Sequence, residues 1–129
     1  MKKKILFVCI ENAGRSQMAE ALTTQILGKK VEAWSAGSKP ASKINEVVCE
    51  VLEEKGLYIS SKTSKGLGDI PAHQWDWVIT MGCGDACPNV PAKHREDWSI
   101  PDPKGKSLEE VRKIRDLIET KIKALLSSL

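Results

Sequence analysis

The apolar positions of the chain fall into two patterns that alternate along its length. Short apolar runs predict three buried strands, and a more polar stretch a fourth, at 4–10, 31–35, 77–81 and 96–99. Apolar residues three and four apart predict three helices, at 16–27, at 44–55 and from the capping box at 107–110 to 129. A short helix is expected near 67–70, a turn at Ala36-Gly37 and loop over most of 82–103.

Strands that alternate with helices predict an α/β sheet with right-handed crossovers. No internal repeat, low-complexity tract or interdomain linker interrupts the sequence. A chain of 129 residues has the length for one core, so we predict a single domain over 1–129.

The composition excludes several broad classes of protein. With 41% hydrophobic and 29% charged residues, the chain has the balance of a folded domain rather than a disordered one. A formal net charge of +3 is too small to suggest nucleic-acid binding. The longest apolar run, Ile5–Ile10, falls far below the roughly 20 residues of a membrane-spanning helix, and Glu11 ends it too early for a signal peptide. We therefore expect a cytoplasmic protein that binds neither nucleic acid nor membranes.

The segment Cys9-Ile10-Glu11-Asn12-Ala13-Gly14-Arg15-Ser16 joins the first predicted strand to the first predicted helix. A loop that wraps onto a helix N-terminus directs successive backbone N–H groups at one centre, where a tetrahedral oxyanion such as phosphate or arsenate fits. Arg15 can hold two oxygens of that anion with its guanidinium fork. The same field favours a thiolate, so Cys9 is predicted to be an ionised nucleophile to which the Ser16 hydroxyl donates.

We call this segment the anion loop, and we predict that the following residues bind the oxyanion: Ile10, Glu11, Asn12, Ala13, Gly14, Arg15 and Ser16. The alternative is a core cysteine at the end of a strand, with Arg15 merely solvated. The strand before the loop, the helix after it and Gly14 within it favour the oxyanion site. A nucleotide-binding phosphate loop is excluded, because no Gly-Lys-Ser/Thr follows the strand.

Two further cysteines, Cys83 and Cys87, follow the third predicted strand. If the first and third strands are neighbours about 4.8 Å apart, Cys9 and Cys83 end at the same sheet edge, within disulfide reach. A turn between Cys83 and Cys87 brings their Cα atoms to about 6 Å, which a disulfide also tolerates. This arrangement favours a redox relay, with two alternatives: a zinc site that includes His94, and two unrelated structural thiols. Cys49 lies mid-helix and is predicted to pack against the core.

A candidate acid follows the fourth predicted strand, where Asp102 lies between Pro101 and Pro103. A carboxyl held on a rigid loop above the sheet edge can act as general acid or base. Asp97 and Asp85 are rivals for this role, but neither has the same proline-flanked setting.

Together these residues resemble the thioredoxin-coupled arsenate reductases built on the low-molecular-weight protein tyrosine phosphatase fold. The matching segments run along nearly the whole chain: Phe7 to Cys9, Ser16 to Glu20, Ser35 to Gly37, Cys83 to Pro88, and Asp102-Pro103 with Gly105. The pair Cys83 and Cys87 is the part specific to the reductases. The resemblance implies a flavodoxin-like sheet of four parallel strands in the order 2-1-3-4, flanked by helices.

The resemblance also implies a mechanism. Cys9 attacks arsenate held by the loop and Arg15, and water or hydroxide leaves with the help of Asp102. Cys83 then attacks Cys9, which releases arsenite and forms a Cys9–Cys83 disulfide. Cys87 attacks Cys83, and thioredoxin reduces the resulting Cys83–Cys87 disulfide. The implied partners are arsenate, with phosphate or sulfate as competing anions, and thioredoxin; we expect a monomer without a cofactor.

Three features depart from the family pattern. The last two thiols are closer in sequence than in the best-known members. Some members bind potassium with groups that correspond to Asn12, Glu20, Ser35 and an acidic residue, and Lys65 takes the last place here, so we predict no metal. The phosphatases carry aromatic residues after their Asp-Pro, whereas Lys104 follows it here. A phosphotyrosine ring would therefore lack its usual wall.

Two other functions are kept as alternatives. One is a low-molecular-weight protein tyrosine phosphatase that uses Cys9, Arg15 and Asp102, and the other is an oxyanion- or redox-sensing binding module. Catalytic turnover separates the binding module from both enzymes. Arsenate-dependent oxidation of NADPH through thioredoxin reductase and thioredoxin separates the reductase from the phosphatase.

Overall fold

The computed structural model describes residues 2–59, 62–71, 74–82 and 90–129. These residues form one parallel sheet of four strands in the order β2-β1-β3-β4, with bounds β1 (Lys3–Cys9), β2 (Val31–Gly37), β3 (Trp75–Thr80) and β4 (Ala92–Asp97). Three α-helices accompany the sheet: α1 (Arg15–Leu27), α2 (Glu46–Glu53) and α3 (Leu108–Leu125). The predicted fold class and strand order are confirmed.

Strand β1 lies inside the sheet because its side chains are apolar on both faces. Its register places Ile5 opposite Ala33 of β2 and opposite Trp77 of β3. The β1–β2 pairing ends at Cys9 and Gly37, so the thiol lies at the carboxyl edge of the sheet. Ligands of open α/β sheets bind at this edge.

The larger part of the core lies on the face of the sheet that packs against all three helices. Buried residues of β1, α1, α2 and α3 form it together, among them Phe7, Leu22, Val48 and Ile118. The opposite face carries a smaller cluster around Leu6 and Val78, against which Leu67 and Ile70 pack. Within the described residues, no helix is long and apolar enough to cross a membrane.

Helix α2, whose N-terminus borders the candidate site, is held against α3 by an ion cluster. Arg115 donates from Nη1 to the Val51 carbonyl at 2.9 Å and to Glu54 Oε1 at 2.7 Å. Arg112 binds the same carboxylate through Nε and Nη2 at 2.6–3.0 Å. The hydrogen bonds from Arg112 and Arg115 lower the pKa of Glu54 to about 2. These contacts with α3 therefore fix the position of α2.

Several sequence-based boundaries were wrong. Strand β4 begins at Ala92, well before the predicted 96–99 and within the predicted loop, because it is an exposed edge strand with little apolar signal. The predicted turn Ala36-Gly37 is the buried end of β2. Strand β3 begins at Trp75, two residues before the predicted start. Helix α2 begins at Glu46 rather than at 44 because Asn45 caps it, and it ends at Glu53. Helix α3 ends at Leu125 rather than at 129.

Other local predictions are confirmed. A 3-10 helix spans Leu67–Asp69, where a short helix was expected. The capping box of α3 is present, with Ser107 Oγ accepting from the Glu110 N–H at 3.2 Å.

Candidate functional site

The anion loop connects β1 to α1 and surrounds the Cys9 thiol. The Asn12 N–H donates to Cys9 Sγ at 3.2 Å, and Ser16 Oγ lies 2.7 Å from the same sulfur. Helix α1 begins at Arg15, so the thiol lies at its N-terminus, where the first N–H groups have no intrahelical partner. The predicted contact between the Ser16 hydroxyl and Cys9 is therefore present.

The carbonyl groups of the anion loop are turned away from its centre. The segment after β2 supplies four backbone N–H donors at 2.8–3.2 Å, from Ser38 to the Cys9 carbonyl, Lys39 to Ile10, Ala41 to Glu11 and Asn45 to Ala13. The Gly14 carbonyl accepts from the Met18 N–H at 3.0 Å, and the Asn12 carbonyl accepts from the Gln17 side chain at 3.2 Å. Because these oxygens are bound outside the loop, backbone N–H groups of the loop can serve an anion on its inner side, as in the backbone nests that bind oxyanions.

Two residues meet a backbone constraint here, one within the loop and one packed against it. Asn12 has φ of 52°, in the left-handed region that few residues other than glycine adopt without support. Gly37 packs so closely that a Cβ there would lie 2.5 Å from the Ile10 carbonyl oxygen and 2.9 Å from the Asn12 nitrogen. The end of β2 therefore has to be a glycine for the loop to lie against it.

Arg15 is fixed by two backbone carbonyls, although it belongs to the loop. Its Nη1 donates to the Met81 carbonyl at 2.7 Å and to the Ile100 carbonyl at 3.1 Å, and its side chain is 9% exposed. Both bonds leave from Nη1, so the Nε–Nη2 edge is the fork that can face an oxyanion.

An open pocket of about 240 Å³ lies above the anion loop. Its walls are the loop, the segment Ala41 to Glu46 that leads into α2, and the turn Asp102 to Lys104. This turn packs closely on the loop, because a Cβ on Gly14 would lie 2.7 Å from Pro103 Cγ. Lys104 Nζ and Glu11 Oε1 form an ion pair of 3.5 Å at the pocket wall.

The exposed carboxyl group of Asp102 belongs to the pocket lining, and its Oδ1 accepts from the Lys104 N–H at 3.0 Å. Its rival Asp97 is engaged elsewhere, because its Oδ1 accepts from Thr80 Oγ1 at 2.6 Å and from the Gly82 N–H at 3.2 Å. The other rival, Asp85, lies outside the described residues. Asp102 is thus the one of the two described candidates that lines the pocket.

Behind the loop, Lys65 lies where the family resemblance placed it. Its Nζ is 3.4 Å from both Glu20 Oε1 and Ser35 Oγ, and Ser35 donates to Glu20 at 2.7 Å. The cluster already contains a positive side chain, so it fits potassium poorly. Across the ranges that the structure covers, no group of three or more His, Cys, Asp or Glu side chains could hold a metal ion.

The predicted thiol pair, Cys83 and Cys87, lies outside the described residues, so the relay and the zinc alternative both stay predictions. The ring of His94, which the zinc alternative used, stacks on Trp77 with centroids 4.6 Å apart. Gly82, the last described residue before this pair, lies close to Arg15, since a Cβ on Gly82 would be 3.4 Å from Arg15 Nη1.

One residue with a direct bearing on the loop, Gln17, was missed from the sequence. It is 1% exposed and donates to Asn12 and to the Thr63 carbonyl. A polar residue next to Met18 on the buried side of a helix was the available signal. Its partners could not be read from it, because Thr63 is 46 positions away and the contact with Asn12 depends on the folded loop.

We expect Cys9 to be alkylated by iodoacetamide at pH 6 about tenfold faster than Cys49. Cys9 lines the pocket and accepts a backbone N–H, whereas Cys49 packs against the core. Burial and the nearby carboxylates of Glu53 and Glu46 raise the pKa of the Cys49 thiol, which keeps it protonated. Peptide mapping by mass spectrometry measures both rates.

Added phosphate should slow the reaction of Cys9 and leave that of Cys49 unchanged, which makes Cys49 an internal control. Equal rates at the two cysteines, or no protection by phosphate, would contradict an anion site above the Cys9 thiol.

Comparison with known proteins places these features in a family. Residues 4–129 match the family described as low molecular weight phosphotyrosine protein phosphatase. An arsenate reductase of Staphylococcus epidermidis is 39% identical over 127 residues, which cover 95% of each chain. A glutaredoxin arsenate reductase of Synechocystis is 34% identical over 130 residues, 98% of each chain.

Solved structures agree with the sequence relatives. An arsenate reductase in the phosphate-binding state superposes with a TM-score of 0.85 at 32% identity and covers 98% of each chain. The thioredoxin-dependent arsenate reductase of Corynebacterium glutamicum gives a TM-score of 0.76 at 41% identity, over 98% of this chain and 61% of that one.

Proposed function

The chain belongs to the low molecular weight phosphotyrosine protein phosphatase family and is one of its arsenate reductases, and we propose that it reduces arsenate through Cys9, Cys83 and Cys87. The proposal assigns the anion site to residues 10–16, the nucleophile to Cys9 and the general acid to Asp102. Thioredoxin is the proposed reductant. The single domain over 1–129, the monomeric state and the absence of a metal or cofactor remain predictions.

In the first proposed step, the Cys9 thiolate attacks the arsenic atom of arsenate, and an S–As bond replaces an As–O bond. The leaving oxygen departs as water after taking a proton from Asp102. Arg15 and the loop N–H groups stabilise the negative charge on the remaining oxygens. Arsenic is still in its higher oxidation state at this point.

The second step carries the reduction. The Cys83 thiolate attacks Cys9 Sγ, an S–S bond forms, and the electron pair of the S–As bond stays on arsenic, which leaves as arsenite. Cys87 then attacks Cys83 and frees the Cys9 thiol. A dithiol reductant reduces the Cys83–Cys87 disulfide and is itself oxidised to a disulfide. Two electrons therefore pass from the reductant to arsenic in each cycle.

The observation that carries the proposal is the surroundings of Cys9 Sγ. A thiol that meets a backbone N–H and a hydroxyl within 3.2 Å, at a helix N-terminus and beside a tethered arginine, has the surroundings of an anion-binding nucleophile. The described residues that line the pocket include no aromatic side chain, which favours a small inorganic anion over an aryl phosphate. The relative captured in a phosphate-binding state supports phosphate as a competing anion.

The reductant is tested with two coupled assays. One contains NADPH, thioredoxin reductase and thioredoxin; the other contains NADPH, glutathione reductase, glutathione and glutaredoxin. We expect arsenate-dependent loss of NADPH absorbance in the thioredoxin assay, inhibited by phosphate. Both assays are needed because the Synechocystis relative is a glutaredoxin arsenate reductase and the Corynebacterium glutamicum relative is thioredoxin-dependent. Turnover in the glutaredoxin assay alone would overturn the choice of thioredoxin, and turnover in neither would overturn arsenate reduction.

A further inference from the structure

Gln17 is a buried polar residue in the first turn of α1, and its side chain contacts the anion loop. Its side chain is 1% exposed, and the two hydrogens of its Nε2 are shared among three oxygens: Asn12 Oδ1 at 2.8 Å, the Asn12 carbonyl at 3.2 Å and the Thr63 carbonyl at 3.2 Å. A buried amide without partners would destabilise the fold, so these contacts explain why a polar side chain is tolerated here.

Gln17 supplies the one side-chain donor among the six hydrogen bonds described above that hold the loop carbonyls from Cys9 to Gly14 outwards. The other five donors are backbone N–H groups, which no substitution other than proline removes. The carbonyl that depends on Gln17 belongs to Asn12, the residue with φ of 52°. The conformation that costs most to hold is therefore also the one that a side chain holds.

Gln17 also fixes which way the Asn12 side chain faces. The Lys65 N–H and Gln17 Nε2 both lie 2.8 Å from one side-chain atom of Asn12, and because both are donors, that atom is the oxygen. The Asn12 amide nitrogen then faces Ser16 and donates to its Oγ at 2.8 Å. The Ser16 hydroxyl proton is left to point at Cys9 Sγ, 2.7 Å away. The Lys65 N–H and Gln17 Nε2, which both donate to Asn12 Oδ1, therefore set the direction of this chain of hydrogen bonds.

We propose that Gln17 is a positioning residue that holds Asn12 in its left-handed, outward-carbonyl conformation and thereby keeps the anion loop ready to bind oxyanion. It touches neither the anion nor the Cys9 thiol; it acts through Asn12. The inference rests on the proposed function, in that the anion bound at this loop is the substrate of the enzyme.

The test measures phosphate affinity of the full chain by isothermal titration calorimetry, alongside arsenate turnover. Gln17→Met keeps the length of the side chain but has no donor, and we expect it to raise the phosphate Kd about tenfold. Gln17→Glu places a carboxylate against the three oxygens that Nε2 now contacts and should weaken binding further. Gln25→Met is the matched control, because Gln25 lies on the same helix and also donates to a backbone carbonyl, that of Lys55, at 2.9 Å. It should leave the phosphate Kd unchanged.

A second background separates positioning from general structural damage. Glycine adopts a left-handed φ without strain and has no side-chain amide. Asn12→Gly therefore removes both the backbone strain and the side-chain oxygen to which Gln17 donates. In that background, Gln17→Met should change the phosphate Kd by about twofold or less, since only the weaker carbonyl contact remains. An equal loss of affinity in both backgrounds would show a role unrelated to Asn12 and would overturn the proposal.

The outcomes distinguish this inference from the function on which it rests. If the Gln17→Met variant binds phosphate as tightly as the wild type, the proposed role of Gln17 is overturned and the proposal of arsenate reduction is unaffected. A wild-type protein that neither binds phosphate nor reduces arsenate overturns the proposed function itself.

Discussion

Replacing Arg15 by lysine is expected to lower kcat/KM for arsenate by about a hundred- to a thousand-fold, the usual effect of removing a preorganised donor from an oxyanion site. The Nη1 atom of Arg15 is occupied by the Met81 and Ile100 carbonyls, so the guanidinium can be held in place and still offer its Nε–Nη2 edge to the anion. An ammonium group cannot do both, because it is a single point donor without a planar fork. Steady-state kinetics in the coupled assay measure the effect.

The same substitution should weaken phosphate binding, which calorimetry measures without the redox steps. Arg95→Lys is a suitable control, since Arg95 lies on the exposed edge strand β4 and donates to the Val90 carbonyl, away from the pocket. Thermal unfolding of both variants verifies that the sheet is intact. Arg15→Lys protein that turns over and binds phosphate like the wild type would mean that Arg15 is a structural tether and not an anion ligand.

The anion loop could be predicted from sequence because its determinants are close together along the chain. Cys9, Gly14, Arg15 and Ser16 lie within eight residues, between an apolar run and an amphipathic helix. The contact of Ser16 with the thiol follows directly from that spacing. Asp102 was harder, because its place at the pocket depends on the packing of Pro103 against Gly14, but its proline-flanked setting was visible.

What could not be predicted depends on contacts between distant segments. Four of the six outward carbonyls of the loop are bound by residues 38–45, and the Asn12 side chain accepts from the N–H of Lys65, which is 53 positions away. No local pattern encodes these partners. Strand β4 was misplaced for a different reason: it is nearly all polar, so hydrogen bonding to β3 defines it and side-chain burial does not.

The proposed reductive half of the cycle depends on Cys83 and Cys87, which lie outside the described residues, and mutants of these two cysteines test it most directly. Phosphoester cleavage needs Cys9, Arg15 and an acid, but arsenate reduction needs a second thiol to accept Cys9 as a disulfide partner. Cys83→Ser is therefore expected to abolish arsenite release, whereas any weak hydrolysis of a small aryl phosphate should survive. Arsenite is quantified after one equivalent of arsenate, and aryl phosphate hydrolysis is measured on the same sample.

Cys87→Ser should allow a single turnover at most, because a Cys9–Cys83 disulfide then has no internal thiol to resolve it. After one equivalent of arsenate, mass spectrometry should find Cys9–Cys83 in this variant and Cys83–Cys87 in the wild type. Cys49→Ser is the matched control and should behave as the wild type, since Cys49 packs against the core on α2. Repeated thioredoxin-driven turnover by Cys87→Ser would refute the three-thiol relay, because an external thiol would then have to resolve the first disulfide.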